Sequence, residues 1–457
     1  MKKQTYDYDL IVIGSGAGGS VAANIVAAEG KRVAVVESGL MGGECPNWGC
    51  IPSKAMLEAA KTYENAKNAG TFGIRAGMAG FNYPSVRAWK DLVIKRTEVE
   101  KSDDYYAKHG VGVYHGRAHF ISPHEITVNR RHLSAANFLI ATGAVSIPLN
   151  VPVDPGITLL DARAALDLTR PPKTLFIIGG SATGTEFAQL FSAFGSKVYI
   201  ADISPRLLPR EDQEVSQLVE AVFAKRRGIQ VLTKTKVTSI ERDGAATRVN
   251  YMRGGEKHSA RVDQVLVAVG KAPTTDLGLE NANVSYGPRG IPVNDHLQTN
   301  VPHIYAAGDV LGRHMFTHMG LYESKIAANN ILHKVKLSPD YRAVPRATFL
   351  TPEIASVGLS EEQCLKQDLG IKTAVAPINI IGRANVSNAM DGFIKIITDK
   401  RGVLLGATVV SQNAGEVIHE LGLAIHHRLT AAQVASTIHA FPTWSESVRV
   451  VCEKLKV

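Results

Sequence analysis

Cys45 and Cys50 stand five positions apart in Gly42-Gly43-Glu44-Cys45-Pro46-Asn47-Trp48-Gly49-Cys50-Ile51-Pro52-Ser53-Lys54, the stretch of this chain best suited to chemistry. Neighbouring thiols exchange two electrons by opening and closing a disulfide, and the thiolate is the reactive form. In an ideal helix, residues at this spacing are about 7.5 Å apart along the axis, beyond comfortable disulfide reach. A bridge therefore needs a distorted turn, for which Pro46 and Gly49 supply the breaks. Lys54, four past Cys50, shares its helical face and favours a thiolate. The plainer alternative is two buried cysteines at a helix start. Cys364 and Cys452 are isolated and read as structural thiols. Four cysteines in 457 residues are too few for a disulfide scaffold, which favours a functional pair in a reducing cytoplasm.

The strongest signal for what positions these thiols is an internal repeat: residues 9–37 lie over residues 174–202 at an offset of 165. The first copy reads Leu10-Ile11-Val12-Ile13, the turn Gly14-Ser15-Gly16-Ala17-Gly18-Gly19, a small-residue helix to Glu29, and Arg32-Val33-Ala34-Val35-Val36-Glu37. The second reads Thr174 to Ile178, Gly179-Gly180-Ser181-Ala182-Thr183-Gly184, a helix, and Lys197-Val198-Tyr199-Ile200-Ala201-Asp202. Each copy predicts a buried parallel strand, a glycine turn that admits a pyrophosphate, a helix N-terminus aimed at it, and an acid for ribose hydroxyls. Ser181 replaces the middle glycine of the second copy; its hydroxymethyl either crowds the phosphate or hydrogen-bonds it. Asp202 favours NAD(H) over NADP(H), because a carboxylate accepts from a free 2′-hydroxyl and repels a 2′-phosphate. Arg206, close behind it, counts the other way.

At this length a prior of roughly 150 residues per domain suggests about three domains. The 45% hydrophobic content suits folded domains, and the net charge of +9 raises the question of an anionic partner. The charge is not blocky: the densest cluster, Lys225-Arg226-Arg227, closes a helical pattern beginning near Glu211 and reads as a solvated face. Gly14 ends the first apolar run before a signal-peptide core develops, and no run approaches the roughly 20 residues of a membrane helix. A soluble, unexported, cytoplasmic protein is expected, without nucleic-acid or membrane partners and without a metal site of its own.

The cysteine block resembles the redox-active segment of the class I flavoprotein disulfide reductases, which include dihydrolipoamide dehydrogenase, glutathione reductase and mercuric reductase. The resemblance covers essentially the whole chain. Ala141-Thr142-Gly143 resembles the family's mid-chain ATG element, and Gly270-Lys271-Ala272-Pro273 its GRxP element with lysine for arginine. Ala306-Ala307-Gly308-Asp309 resembles the element whose aspartate holds the FAD ribitol, and Met315-Phe316-Thr317-His318 the next flavin-contacting stretch. The implied fold is α/β: two Rossmann-like dinucleotide-binding domains, for FAD and NAD, plus a C-terminal α+β dimerisation domain. FAD would occupy a domain of residues 1–145 and 272–340, NAD one of 146–271, with 341–457 as the interface domain of a homodimer. Strands at 393–398 and 404–410 and a helix at 414–427 are expected in the last. Implied cofactor contacts are Gly14, Gly16, Gly19, Glu37, Ser38, Gly43, Gly116, Thr142, Gly143, Gly270, Gly308, Asp309, Met315 and Thr317, with Gly179, Ser181, Gly184 and Asp202 in the second copy.

By the same resemblance Cys50 is the thiol nearest the flavin, Cys45 is the interchange thiol, and Lys54 pairs with Glu186. Without it, Glu186 reads as a first-turn helix carboxylate favoured by the dipole. The family's C-terminal acid–base is a histidine followed by proline, with a glutamate five positions later. Here the segment is His439-Ala440-Phe441-Pro442-Thr443-Trp444-Ser445-Glu446, so Phe441 stands where the histidine belongs. Such a group contributes on the order of 10² to 10⁴ in rate, and its loss opposes efficient dithiol exchange. His439 is either an ordinary satisfied histidine or a substitute that reaches in from roughly 7 Å along a strand. Glu446 should be solvated or, if buried, raised in pKa. Mercuric reductase also lacks the histidine but carries a vicinal cysteine pair at its C-terminus, where this chain has only Cys452. The expected activity is FAD-dependent NAD(P)H oxidation, with electrons passing through Cys45 and Cys50 to a disulfide, metal ion or quinone. The alternatives are dihydrolipoamide dehydrogenase-like dithiol oxidation with a displaced acid–base, and a flavin-bearing binding or regulatory component.

Overall fold

The structure, a computed structural model, describes residues 5–75, 77, 80–97 and 102–455. The chain forms two compact units: Met1–Met56 with Pro84–Pro148 and Gly270–Pro339, and Leu57–Tyr83 with Leu149–Val269 and Asp340–Val457.

In the first unit the apolar runs of Tyr8–Ile13 and Val33–Glu37 become adjacent, buried strands of a parallel sheet, as continuous hydrophobic runs require. The parallel order is Val111–His115, Val33–Glu37, Tyr8–Ile13, Arg131–Ile140, and Ile304–Ala306 also pairs with Arg131–Ile140. Ile13 lies opposite both Val36 and Ile140, so the chain leaves three strands at one edge, at Gly14, Glu37 and Ala141. That carboxyl edge is where ligands of such sheets bind. Helix Ala17–Ala28 starts there and packs on helix Thr317–Leu332, where the Ser324 hydroxyl accepts from Ala22 N–H at 2.9 Å.

The second unit repeats the plan with four parallel strands, in the order Gln230–Leu232, Lys197–Ala201, Thr174–Ile178, Gln264–Val267. A three-stranded antiparallel sheet, Thr235–Asp243, Ala246–Arg253 and Glu256–Val262, follows. The C-terminal part is a five-stranded antiparallel sheet ordered Pro345–Thr348, Glu353–Gly358, Leu404–Ser411, Phe393–Asp399, Ile371–Pro377. Helix Ala414–His426 lays Val417, Ile418, Leu421 and Ile425 into the core of that sheet. The α/β class and the C-terminal strands and helix are as expected.

In the basic cluster Lys225 is exposed as expected, but Arg227 departs from the expectation. Arg227 is not on a solvated face: it is buried and bidentate to Glu64, with one bond of 3.0 Å, while its carbonyl accepts from Ser192. A planar guanidinium matches a carboxylate in this way, and breaking such a buried pair costs about 3–5 kcal/mol. Among the described residues no helix is long and apolar enough to cross a membrane.

Candidate active site

The two glycine turns repeat each other's hydrogen bonds at the offset seen in the sequence. Gly14 N–H donates to Val36 O and Gly179 N–H to Ala201 O, both at 2.8 Å; Ala141 N–H donates to Ile13 O at 2.8 Å and Ala268 N–H to Ile178 O at 2.7 Å. Gly14 and Gly179 have φ of +104° and +113°, and a Cβ on either would run into the carbonyl of Ala141 or Ala268. A Cβ on Gly19 or Gly184 would overlap the Gly14 or Gly179 carbonyl. Gly16 and Ser181, by contrast, both sit at helix N-caps with φ of −68° and −83°, open to any residue. Serine therefore replaces glycine there without backbone cost, and its exposed hydroxyl makes no capping bond.

The acids close both turns. Glu37 accepts from Ser15 N–H at 2.9 Å, Ser15 Oγ–H at 2.7 Å and Gly39 N–H at 2.7 Å. Asp202 accepts from Gly180 N–H at 2.6 Å and Ser204 N–H at 2.7 Å. Carboxylate oxygens have lone pairs left for ribose hydroxyls. Ser38 is exposed beside Glu37, and Gly116 N–H donates to the Glu37 carbonyl at 2.8 Å.

The cysteine loop rests directly on the first turn: a Cβ on Gly43 would lie 2.8 Å from Gly16 Cα. Cys45 lies in the short helix Glu44–Asn47, and Cys50 opens helix Cys50–Lys67. Gly49 permits their approach, since a Cβ there would meet Cys45 Cα at 3.3 Å and the Glu44 carbonyl at 3.1 Å. The Asn47 carboxamide ties the loop down by donating to the carbonyls of Met41, at 2.9 Å, and Gly43, at 2.7 Å. Both cysteines are free thiols, and Cys45 donates to the Cys50 sulfur. Thr317 Oγ1, on the first residue of its helix, is 3.4 Å from Cys50 Sγ. The bond from Cys45, with help from Thr317 and the Lys54 charge, holds the Cys50 thiol down at about 6. Acting as donor and being buried, Cys45 is pushed up. Near neutral pH the pair thus carries one thiolate, on Cys50, and one proton, on Cys45. Cys364 and Cys452 are buried, and burial together with nearby carboxylates pushes both thiols up, Cys452 to about 12, so neither is a reactive thiol.

The remaining signature elements surround the same sheet edge. Thr142 Oγ1 donates to Thr274 O at 2.6 Å, Thr274 N–H to Gly143 O at 3.0 Å, and Ile147 N–H to Gly270 O at 3.0 Å. Ala144–Ser146 and Lys271–Pro273 pair between these bonds. Lys271 forms an ion pair with Glu44, next to Cys45. Gly308 N–H donates at 2.8 Å to Glu323, a fully buried acid on the helix that Thr317 opens. Asp309 makes no protein hydrogen bond through its carboxylate among the described residues, and burial raises its pKa against the pull of Lys271. An unpartnered carboxyl beside a glycine cradle, with half-buried Met315 and Thr317 nearby in sequence, fits FAD. Glu323 and Glu44 were not among the expected site residues; the one available signal was an acid at position 323 on a helix face otherwise made of Met319, Ile326 and Ala327.

This arrangement coincides with a known family. The model for the pyridine nucleotide-disulphide oxidoreductases matches residues 8–324, and that for their dimerisation domain matches residues 344–451. The chain belongs to this family. Mercuric reductase of Staphylococcus aureus is 35% identical over 448 residues, 97% of this chain and 82% of the relative. Dihydrolipoyl dehydrogenase of Bacillus subtilis is 36% identical over 446 residues, 96% of this chain and 94% of the relative. Among solved structures, the Cu(II) complex of the HOCl-induced flavoprotein disulfide reductase RclA from Escherichia coli has a TM-score of 0.88 at 28% identity, covering 99% of this chain and 100% of that one. Like its family, the chain is an FAD-dependent NAD(P)H oxidoreductase with a dimerisation domain.

Lys54 belongs to the first unit, one turn beyond Cys50, whereas Glu186 belongs to the second, buried in helix Ala182–Ala193 and accepting from Phe349 N–H at 2.9 Å. At the C-terminus, residues 436–445 form no strand, so the expected alternation does not bring His439 alongside Phe441. His439 is instead folded inward: Nε2 is 2.8 Å from Glu420 and Nδ1 2.8 Å from Thr437 O. Phe441 is 74% exposed, its ring against Gly382. Glu446 is largely buried, with Oε1 3.4 Å from Arg449 and Oε2 without a partner. Among the described residues no group of three or more His, Cys, Asp or Glu side chains is placed to hold a metal ion.

Proposed function

We propose that this enzyme is an NADH-dependent reductase of a thiophilic metal ion, acting as a cytoplasmic homodimer with Cys45 and Cys50 as its electron relay. The observation that carries the reading is Phe441: the exposed position of the family's acid–base holds a phenyl ring, and the nearby His439 has both ring nitrogens engaged. Reducing a disulfide or quinone requires two protons to be added to the acceptor, whereas a metal ion takes electrons alone.

FAD, when bound, exchanges two electrons between a dihydronicotinamide and a disulfide. Gly14, Gly16, Gly19, Glu37, Ser38, Gly43, Gly116, Thr142, Gly143, Gly308, Asp309, Met315 and Thr317 hold it, and Gly179, Ser181, Gly184, Asp202 and Gly270 serve NADH. The Cys45–Cys50 disulfide takes up two electrons and one proton, leaving the Cys45 thiol and the Cys50 thiolate. The Lys54 charge and the Thr317 hydroxyl stabilise that thiolate. With two Cu(II) ions as acceptors, the products are two Cu(I) ions, the re-formed disulfide and one proton. The solution of the E. coli structural relative as a Cu(II) complex supports copper as the ion to test. The buried Cys452 supports a metal other than one requiring a C-terminal cysteine pair.

The test is NADH oxidation by purified holoenzyme with Cu(II), lipoamide and a benzoquinone in parallel, Cu(I) being trapped by a chromogenic chelator. Copper turnover should exceed lipoamide turnover by about 10² and disappear in Cys50→Ser. Lipoamide turnover equal to or above that with copper overturns the reading. In Phe441→His, lipoamide turnover should rise while copper turnover stays level.

A further inference from the structure

We propose that Glu362, a residue of the dimerisation segment, sets the preference for NADH over NADPH by holding Arg206 away from the adenosine ribose. This deepens the NADH reading above and rests on it. Arg206 lies four residues beyond Asp202, in the loop that follows strand Lys197–Ala201 and begins with that acid. In such a loop an arginine is suited to take the 2′-phosphate of NADPH in a bidentate grip. Here its Nη2 instead donates to the carbonyls of Pro209 and Glu211 and to Glu362 Oε2, each at 3.2 Å. Its Nε is buried with no partner. The pose thus leaves one guanidinium donor unsatisfied, and Glu362 is the ion-pair partner that holds it.

Glu362 is placed firmly for this task. Helix Glu361–Lys366 begins with a capping box of Ser360 and Gln363, and Glu361 N–H donates to Asp212 Oδ1 at 3.0 Å. The Glu361 carboxylate accepts from Lys395 Nζ at 2.6 Å, and the same buried ammonium reaches Glu214 at 2.8 Å. Thr408 completes the network by donating to Asp212 at 3.2 Å. The helix start is thereby fixed to residues 212–214, a few positions beyond Arg206. Glu362 divides its oxygens, Oε1 going to Lys366 at 2.7 Å and Oε2 to Arg206. With Arg206 so engaged, its guanidinium is withheld from the ribose, and the Asp202 carboxylate repels a 2′-phosphate.

The experiment compares wild type, Glu362→Gln, Arg206→Ala and the double variant as holoenzymes. Two quantities are read: the ratio of kcat/KM for NADPH to that for NADH, and the calorimetric affinity for 2′,5′-ADP relative to 5′-AMP. An exposed ion pair is weak, so Glu362→Gln should raise both ratios by about two- to fivefold. The gain should vanish in the double variant, since it acts through Arg206. Unchanged ratios in Glu362→Gln, or a gain that survives removal of Arg206, overturn the inference. A wild type that itself prefers NADPH overturns the NADH reading instead, and the comparison between Glu362→Gln and the double variant still decides the role of Glu362.

Discussion

The two glycine turns share a backbone but not a neighbourhood. In each, the first and third glycines are fixed by the chain's own carbonyls: Gly14 by Ala141 and Gly179 by Ala268, Gly19 by Gly14 and Gly184 by Gly179. In each, an acid 22 residues past the second turn residue accepts that residue's N–H, Glu37 from Ser15 and Asp202 from Gly180. The middle glycine varies because its φ is negative in both copies. What differs is the surroundings. The first turn carries the cysteine loop against Gly16, and its acid has three donors; the second acid has two and is followed by the loop of Arg206. Backbone geometry therefore makes each turn a nucleotide cradle, and side chains packed around it set which chemistry it serves.

The comparison breaks most severely at the shared glycines. Gly14→Ala and Gly179→Ala each force a side chain into left-handed backbone and a carbonyl, costing about 2–5 kcal/mol, measurable as a lower urea midpoint. Gly14→Ala should also lose bound flavin while Gly179→Ala keeps it; equal flavin retention would show that the copies are not specialised. Next come the acids. Glu37→Gln should cost more than Asp202→Asn, within about 1–3 kcal/mol, because it turns an amide toward three donors rather than two. An inverted order in thermal unfolding would count against the counting of donors.

The thiol loop sharpens the contrast through pH. Alkylation of reduced Cys50 should follow a midpoint near 6, and Thr317→Ala should move it upward while Thr317→Ser restores it. The linkage has a definite sign. An unfolded Cys50 keeps its proton up to the ordinary thiol value of 9.0, whereas the folded one releases it at about 6, so the reduced protein gains stability as pH rises between those values. Above that window Cys45, which holds its proton in the folded state, reverses the slope. A flat stability profile from pH 6 to 9 would contradict the assignment of the thiolate. The smallest effect belongs to the middle position, where Gly16→Ser and Ser181→Gly should each change stability by less than about 0.5 kcal/mol. A large loss in either would show that the position is constrained by more than its backbone.

Much of this was legible in the residues because it depends on neighbours along the chain. The repeat, the strand–turn–helix order and the break at Gly49 that lets Cys45 meet Cys50 all follow from local steric rules. The C-terminal strands and helix were found within a residue or two because their apolar periodicity is strong. Arg227 was misread as solvated because its partner, Glu64, is 163 residues away. For His439, Glu420 and a backbone carbonyl, not strand alternation, set the ring, which is the ordinary satisfied histidine that its type alone allows.

By itself the sequence determined two dinucleotide turns and a cysteine pair, since glycine's conformational freedom and the five-residue spacing act over a few bonds. Which cysteine is the thiolate was decided only in three dimensions, by how the folded loop sets the bond from Cys45 to Cys50, with help from Thr317, 267 positions away. The same holds for the orphaned oxygen of Glu446, the inward turn of His439 and the hold of Glu362 on Arg206. Each of these depends on hydrogen bonds and ion pairs whose angstrom-scale geometry exists only after distant segments have packed, and no residue's type or spacing encodes that distance.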